Sequence, residues 1–146
     1  MRLCVLDCSL AMSWVFEDER DVVADRLLAH LERADCVVVP AVLWSLEVRN
    51  ALRGAVRRKR VTAEDAEQQR LAFAAIPTVA VPCPHGLGDA IDRLVRAHGL
   101  TSFDAAYLAI ASEHALPLAT VDAGLESAAR HEKVPLFRET FEAQPE

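Results

Sequence analysis

The apolar positions along the chain follow two rhythms. In RLCVLD (2–7), CVVVP (36–40), PTVAVP (77–82) and LPLATVD (116–122) nearly every residue is apolar for a short stretch. Such runs, bounded by Pro or a carboxylate, read as strands buried on both faces. Between them apolar residues return every three or four positions, the mark of amphipathic helices. In DERDVVADRLLAHLERAD (18–35), Val22, Val23, Leu27, Leu28 and Leu31 form one stripe. AVLWSLEVRNALRGAVRRKR (41–60) predicts a long helix, and VTAEDAEQQRLAFAAI (61–76) another, with Thr62 as N-cap and acids in its first turn. LGDAIDRLVRAHG (87–99) stops at Gly99, and AGLESAARHE (123–132) is a short helix. VPLF (134–137) is a possible fifth strand.

One predicted helix breaks the pattern. LTSFDAAYLAIAS (100–112), with Thr101 or Ser102 as its cap, is apolar on every face from Phe103 to Ala111 except at Asp104. A helix apolar all round is normally buried. A carboxylate there is costly unless paired, protonated or bound to metal.

Short Val/Leu strands alternating with helices predict an α/β fold. The expected architecture is a three-layer α/β/α sandwich around a mostly parallel sheet of four to five strands. The 146 residues, 52% of them hydrophobic and only 5% aromatic, suit one domain over residues 1–141 with a frayed tail at 142–146. No repeat or linker interrupts it.

The net charge of −6 excludes a surface that is basic throughout, though not a local basic patch. Cys4, Cys8, Cys36 and Cys83 include no C-x-x-C pair and read as small apolar side chains in a reducing, cytoplasmic setting. The first residues do not resemble a signal peptide, and no apolar run approaches the ~20 residues of a membrane span.

Four acids stand where ligands gather in open α/β sheets, at the carboxyl ends of strands. Asp7 ends the first strand and Asp122 the fourth; Glu47 lies two turns past Pro40 among apolar residues; Asp104 opens the buried helix. Each has an ordinary reading: a helix cap for Asp7, a turn for Asp122, a solvated strip for Glu47, a dipole-favoured first-turn acid for Asp104. Together at one sheet edge they imply a cation, because like charges repel. All-carboxylate ligation suits Mg²⁺ or Mn²⁺. Ser9, Asn50, Ser102 and Thr120 accompany the acids as candidate hydrogen-bond partners that orient them. His30, His85, His98, His114 and His131 show no ligand spacing.

VLDCS, PAVLWSLEVRNAL, HGLTSFDAAYLAIA and LPLATVDAGL, in that order and spacing, resemble the PIN-domain ribonucleases, and among them the VapC-type toxins of toxin–antitoxin pairs. The resemblance implies a metal-dependent endoribonuclease whose Asp7, Glu47, Asp104 and Asp122 bind Mg²⁺ or Mn²⁺, leaving a 5′-phosphate. Asp7 and Asp104 would ligate directly, Glu47 would act through water or take a proton, and Asp122 would complete the outer edge. It also implies a cognate antitoxin and a homodimer. Ala123 and Gly124 stand where many relatives carry another polar residue, which leaves one or two metals open.

RNA would meet positive charge on Arg53, Arg57, Arg58 and Arg60, although the same residues fit a solvated helix end. Arg49 lies on the opposite side of the helix from Glu47. Trp14, Phe16 and Trp44 are candidate partner surfaces or core. A haloacid-dehalogenase-type phosphatase needs D-x-D where Ser9 stands, a receiver domain needs paired acids after its first strand, and the G-x-G of HGLGDAI meets Ile91 where its third glycine belongs. The alternative to a nuclease is a PIN-fold module that binds metal, RNA or protein without general cleavage.

Overall fold

The computed structural model describes residues 3–33, 35–84 and 89–142. Strand β1 (Cys4–Leu6) leads into α1 (Cys8–Met12), a 3-10 turn (Glu17–Glu19) and α2 (Val22–Leu31). Then come β2 (Val37–Pro40), α3 (Leu43–Arg57), α4 (Ala63–Ala74) and β3 (Thr78–Val81). The chain closes with α5 (Ala90–His98), α6 (Ser102–Glu113), β4 (Leu118–Ala119), α7 (Ala123–His131) and α8 (Phe137–Glu142).

The four strands form one sheet in the order β3-β2-β1-β4, and every pairing is parallel. Alternation along the strands divides the core in two. Cys4, Leu6, Val37 and Val39 face a cluster with Leu10, Leu27, Trp44, Leu52 and Phe73 from α1 to α4. Val5, Val38 and Leu118 face the opposite cluster, with Leu94 of α5, Tyr107, Leu108 and Ile110 of α6, and Leu125 of α7. The result is the expected α/β/α sandwich. β1 has β2 on one side and β4 on the other, so the connections run in opposite directions from it, and open α/β sheets bind ligands beyond the carboxyl ends of strands at such a point.

The local signals hold in detail. Thr62 accepts from Asp65 N and Asp65 answers in a full capping box. Gly99 ends α5 in the left-handed conformation, at φ 65°. Thr101 caps α6, leaving Ser102 as its first residue. The all-apolar helix is buried from Ala105 to Ala111. The possible fifth strand does not form. VPLF contributes one bridge, Leu118 to Leu136, and Phe137 already begins α8. Pro135 has no N–H to give a ladder, and the segment turns into a helix after a single contact. The G-x-G of 86–88, His85 and tail residues 143–146 lie outside the described residues.

Two of the three aromatic candidates prove internal. Phe16 and Trp44 are buried, and the half-buried Trp14 donates its indole N–H to Ala24 O at 2.8 Å. The large apolar side chains left exposed include Val42, Leu46 and Phe103 instead.

Candidate active site

Asp7 follows β1 directly and occupies the N-cap position of α1, yet its side chain caps nothing. It is 2% exposed. Ser9 Oγ donates to Asp7 Oδ2 at 2.5 Å, and Thr120 Oγ1 donates to the same oxygen at 2.7 Å. The two hydroxyls lie 3.2 Å apart. Thr120, one residue past β4, also accepts from Asp122 N at 3.1 Å. The carboxyl ends of β1 and β4 are thus laced together by side chains from both. Asp7 Oδ2 is saturated, and Oδ1 makes no hydrogen bond among the described residues.

The other acids reach the same edge from helices. Glu47 sits near the start of α3, half-buried, with Oε1 buried and unpartnered. Asp104 is in the first turn of α6, half-buried, while its own N–H is taken by Thr101 Oγ1 at 3.1 Å. Asp122 is exposed and does cap: its Oδ1 accepts from Leu125 N at 2.7 Å at the head of α7. Gly124 suits this cap, since a Cβ there would come within 3.3 Å of Asp122 Oδ1.

The acids feel one another. Burial raises the pKa of Asp7, the Ser9 and Thr120 hydroxyls lower it, and the charges of Asp104 and Asp122 raise it again. Burial also raises Glu47, offset by the nearby Tyr107 hydroxyl and reinforced by Asp7 and Asp104. Tyr107 acts there without completing a hydrogen bond, for its hydroxyl is unpartnered too. Asp104 is raised by burial, eased by Thr101 and raised by Asp122. In each case the charged form is disfavoured by the fold and its like-charged neighbours, and a cation would reverse this.

A hard divalent ion fits this site by donor chemistry. Every candidate donor is oxygen, and among the described residues Glu47 Oε1 is a buried oxygen without a partner and Asp7 Oδ1 accepts no hydrogen bond. The shell is not preformed: among the described residues no three His, Cys, Asp or Glu side chains are grouped closely enough to hold an ion.

The remaining expected residues stand apart. Asn50 and Ser102 are exposed, and neither side chain makes a hydrogen bond among the described residues. Arg60 is engaged within the fold. Its guanidinium reaches Asp18 and Glu19 at 2.9 Å each and lies 3.9 Å over the Phe16 ring. Arg58 folds against Gly54, where a Cβ would meet its Nη1 at 3.1 Å. Arg53 and Arg57 are exposed with no ion pair among the described residues.

Two features escape sequence reading. Tyr107 passes as one more apolar residue of α6, although its spacing of three from Asp104 places it on the same helix face. Val42, at the mouth of α3, has φ 66° and ψ −51°, with Leu43 N bonded to Ala41 O at 2.8 Å around it. This tight three-residue turn is strained for a β-branched side chain, and nothing in the residue type announces it.

Comparison with known proteins agrees with the architecture. The crystal structure of PAE2754 from Pyrobaculum aerophilum matches with a TM-score of 0.65 and 23% sequence identity, over 88% of this chain and 79% of that one. At that identity the likeness speaks for the fold alone. No curated protein matches the chain. The family model described as PIN domain matches residues 4–131, nearly the whole of the sandwich and all four acids, and the chain belongs to the PIN-domain family.

Proposed function

We propose that this protein is a metal-dependent endoribonuclease and the toxin of a toxin–antitoxin pair. PIN domains are generally metal-dependent nucleases, which supports the class of reaction. The observation that carries the reading is the convergence at one sheet edge of Asp7, Glu47, Asp104 and Asp122, with Asp7 pinned on one oxygen by Ser9 and Thr120. An aspartate bonded on one side only, its second oxygen free beside like charges, is set to receive a cation.

Asp7 and Asp104 would hold Mg²⁺ or Mn²⁺ directly, Glu47 through water, and Asp122 at the outer edge. The bound cation would supply Lewis-acid charge against the phosphate and make water more acidic. Ser9 and Thr120 fix Asp7, so the ligand does not reorganise when the phosphate arrives. Glu47, half-buried beside Asp7 and Asp104, would accept the proton of the attacking water. Hydrolysis would leave a 5′-phosphate. Arg53 and Arg57, exposed and without an ion pair among the described residues, would meet the RNA backbone.

The exposed side chains of Val42, Leu46 and Phe103 support a protein partner. Leu46 adjoins Glu47 and Phe103 adjoins Asp104, so an antitoxin segment resting on them would cover the acids. A homodimer in the cytoplasm completes this reading.

The lack of a preformed metal shell favours a second reading, a module that binds RNA or protein and cuts poorly. The deciding assay offers a mixed structured RNA pool to the purified protein with Mg²⁺, with Mn²⁺ and with EDTA, beside Asp7→Asn and Asp104→Asn. Metal-dependent cleavage that vanishes in both variants is expected. Cleavage that survives both would overturn the site, and RNA bound but uncut by the wild type would favour the second reading.

A further inference from the structure

The buried interior beneath the acids holds a hydroxyl that packing does not explain. Tyr107 is 0% exposed and belongs to the apolar cluster of α6, where Phe would fill the same space. Its hydroxyl has no hydrogen-bond partner among the described residues, and buried orphans of this kind are rare. Glu47 Oε1, also buried, has none either. The two come from helices of opposite layers that both pack against β2. Tyr107 lies one turn below Asp104 on α6, and Glu47 approaches from α3. After burial itself, Glu47 is the strongest influence raising the Tyr107 pKa, which keeps the phenol protonated. A protonated phenol can only donate toward a carboxylate.

We propose that Tyr107 is a positioning residue: its buried hydroxyl donates to Glu47 and holds that carboxylate toward the other acids. The inference rests on the metal-dependent reading above and adds to it a residue on the inner side of the cluster. Two polar atoms that would each be stranded alone satisfy one another through a small side-chain adjustment. The free Glu47 oxygen is then aimed outward to the cation, as a hydrogen-bonded ligand normally is.

The test compares wild type, Tyr107→Phe, Glu47→Gln and the double variant. Mn²⁺ binding is measured by calorimetry, and melting temperature is measured in EDTA. Tyr107→Phe is expected to weaken Mn²⁺ binding by about tenfold or more. Its melting temperature in EDTA should fall, since the buried Glu47 Oε1 loses its donor. In the Glu47→Gln background the added substitution should have no further effect on Mn²⁺ affinity. Three outcomes overturn the proposal: Mn²⁺ affinity equal to wild type in Tyr107→Phe, an equal loss in both backgrounds, or an unchanged or raised melting temperature in EDTA. The first two leave the nuclease reading standing. Wild type that binds no Mn²⁺ overturns both.

Discussion

Thr120 donates to Asp7 Oδ2 at 2.7 Å from 113 positions away in the chain, across the seam between β4 and β1. The bond is charge-assisted and buried at both ends, and hydrogen bonds of that kind contribute about 1.5–3 kcal/mol. Thr120→Val keeps the shape and loses the donor, along with the acceptor for Asp122 N. Urea unfolding of this variant in EDTA should show a loss of about that size. Mn²⁺ affinity should fall by about 10–100-fold, the usual effect of removing a partner that orients a ligand. Unchanged stability and affinity would mean that Ser9 alone fixes Asp7.

The acids make a specific prediction about pH in EDTA. The folded-state pKa values of Asp7, Glu47 and Asp104 are raised above their ordinary values. The folded state therefore binds more protons than the unfolded state in the window between the two values, and stability falls as pH rises through it. Acidification from neutral pH toward the ordinary carboxylate range should raise the melting temperature. Further down the sign reverses. Glu132, held by Arg93 and His98, has its pKa lowered to about 2, so its contribution is lost as pH falls below the ordinary glutamate value. Melting curves across this range should pass through a maximum, and a steady decline from neutral pH downward would refute the assignment.

Divalent metal should act on the same balance. At neutral pH, Mg²⁺ or Mn²⁺ should raise the melting temperature of wild type, because a ligand bound only by the folded state stabilises it. Asp7→Asn should gain nothing from metal, and in EDTA should be at least as stable as wild type, having lost a buried charge. A metal shift of equal size in both proteins would place the ion elsewhere.

Asp122 does two things that substitution can separate. Asn caps helices as well as Asp does, so Asp122→Asn should keep the stability of α7 and lose charge at the outer edge. Asp122→Ala loses both, with a further cost of about 0.5–2 kcal/mol in unfolding experiments. Equal stability of the two variants would show that the cap contributes nothing.

The arginines also divide. Arg60→Ala breaks contacts with Asp18, Glu19 and Phe16, so the melting temperature should drop while RNA affinity and its salt dependence stay as they were. Arg53→Ala with Arg57→Ala should do the reverse, weakening RNA binding and flattening the salt slope by about 0.7 per arginine on single strands. Affinity lost only in Arg60→Ala would invert this division.

What could be read in advance was whatever depends on neighbours in sequence. Alternating periods gave the strands, the helices and the three layers. Thr62 and Gly99 announced two helix boundaries, and Asp104 stood out as a lone charge on an apolar helix. The three strand-end residues Asp7, Thr120 and Asp122 could be placed at one edge because parallel sheets gather such ends. What stayed hidden depends on contacts between distant segments. Arg60 looks like surface charge until the 3-10 turn brings Asp18 and Glu19 to it. Tyr107 looks like core until α3 brings Glu47 above it. VPLF has strand composition, but a single bridge to Leu118 is all that its proline and the following helix allow. Val42 is held at positive φ by the turn into α3, against the preference of its own side chain.

The pairing of β1 with β4 also has a consequence in time. Asp7 is made early and Glu47 soon after, but Thr120 and Asp122 emerge from the ribosome only when most of the domain has been synthesised. Until then β1 has no neighbour on that side, and Asp7 lacks one of the two hydroxyls on its Oδ2. A nascent or truncated chain that stops short of β4 carries the first acids without the architecture that aligns them. The alignment of Asp7 therefore waits for β4, and a chain cut before β4 lacks it.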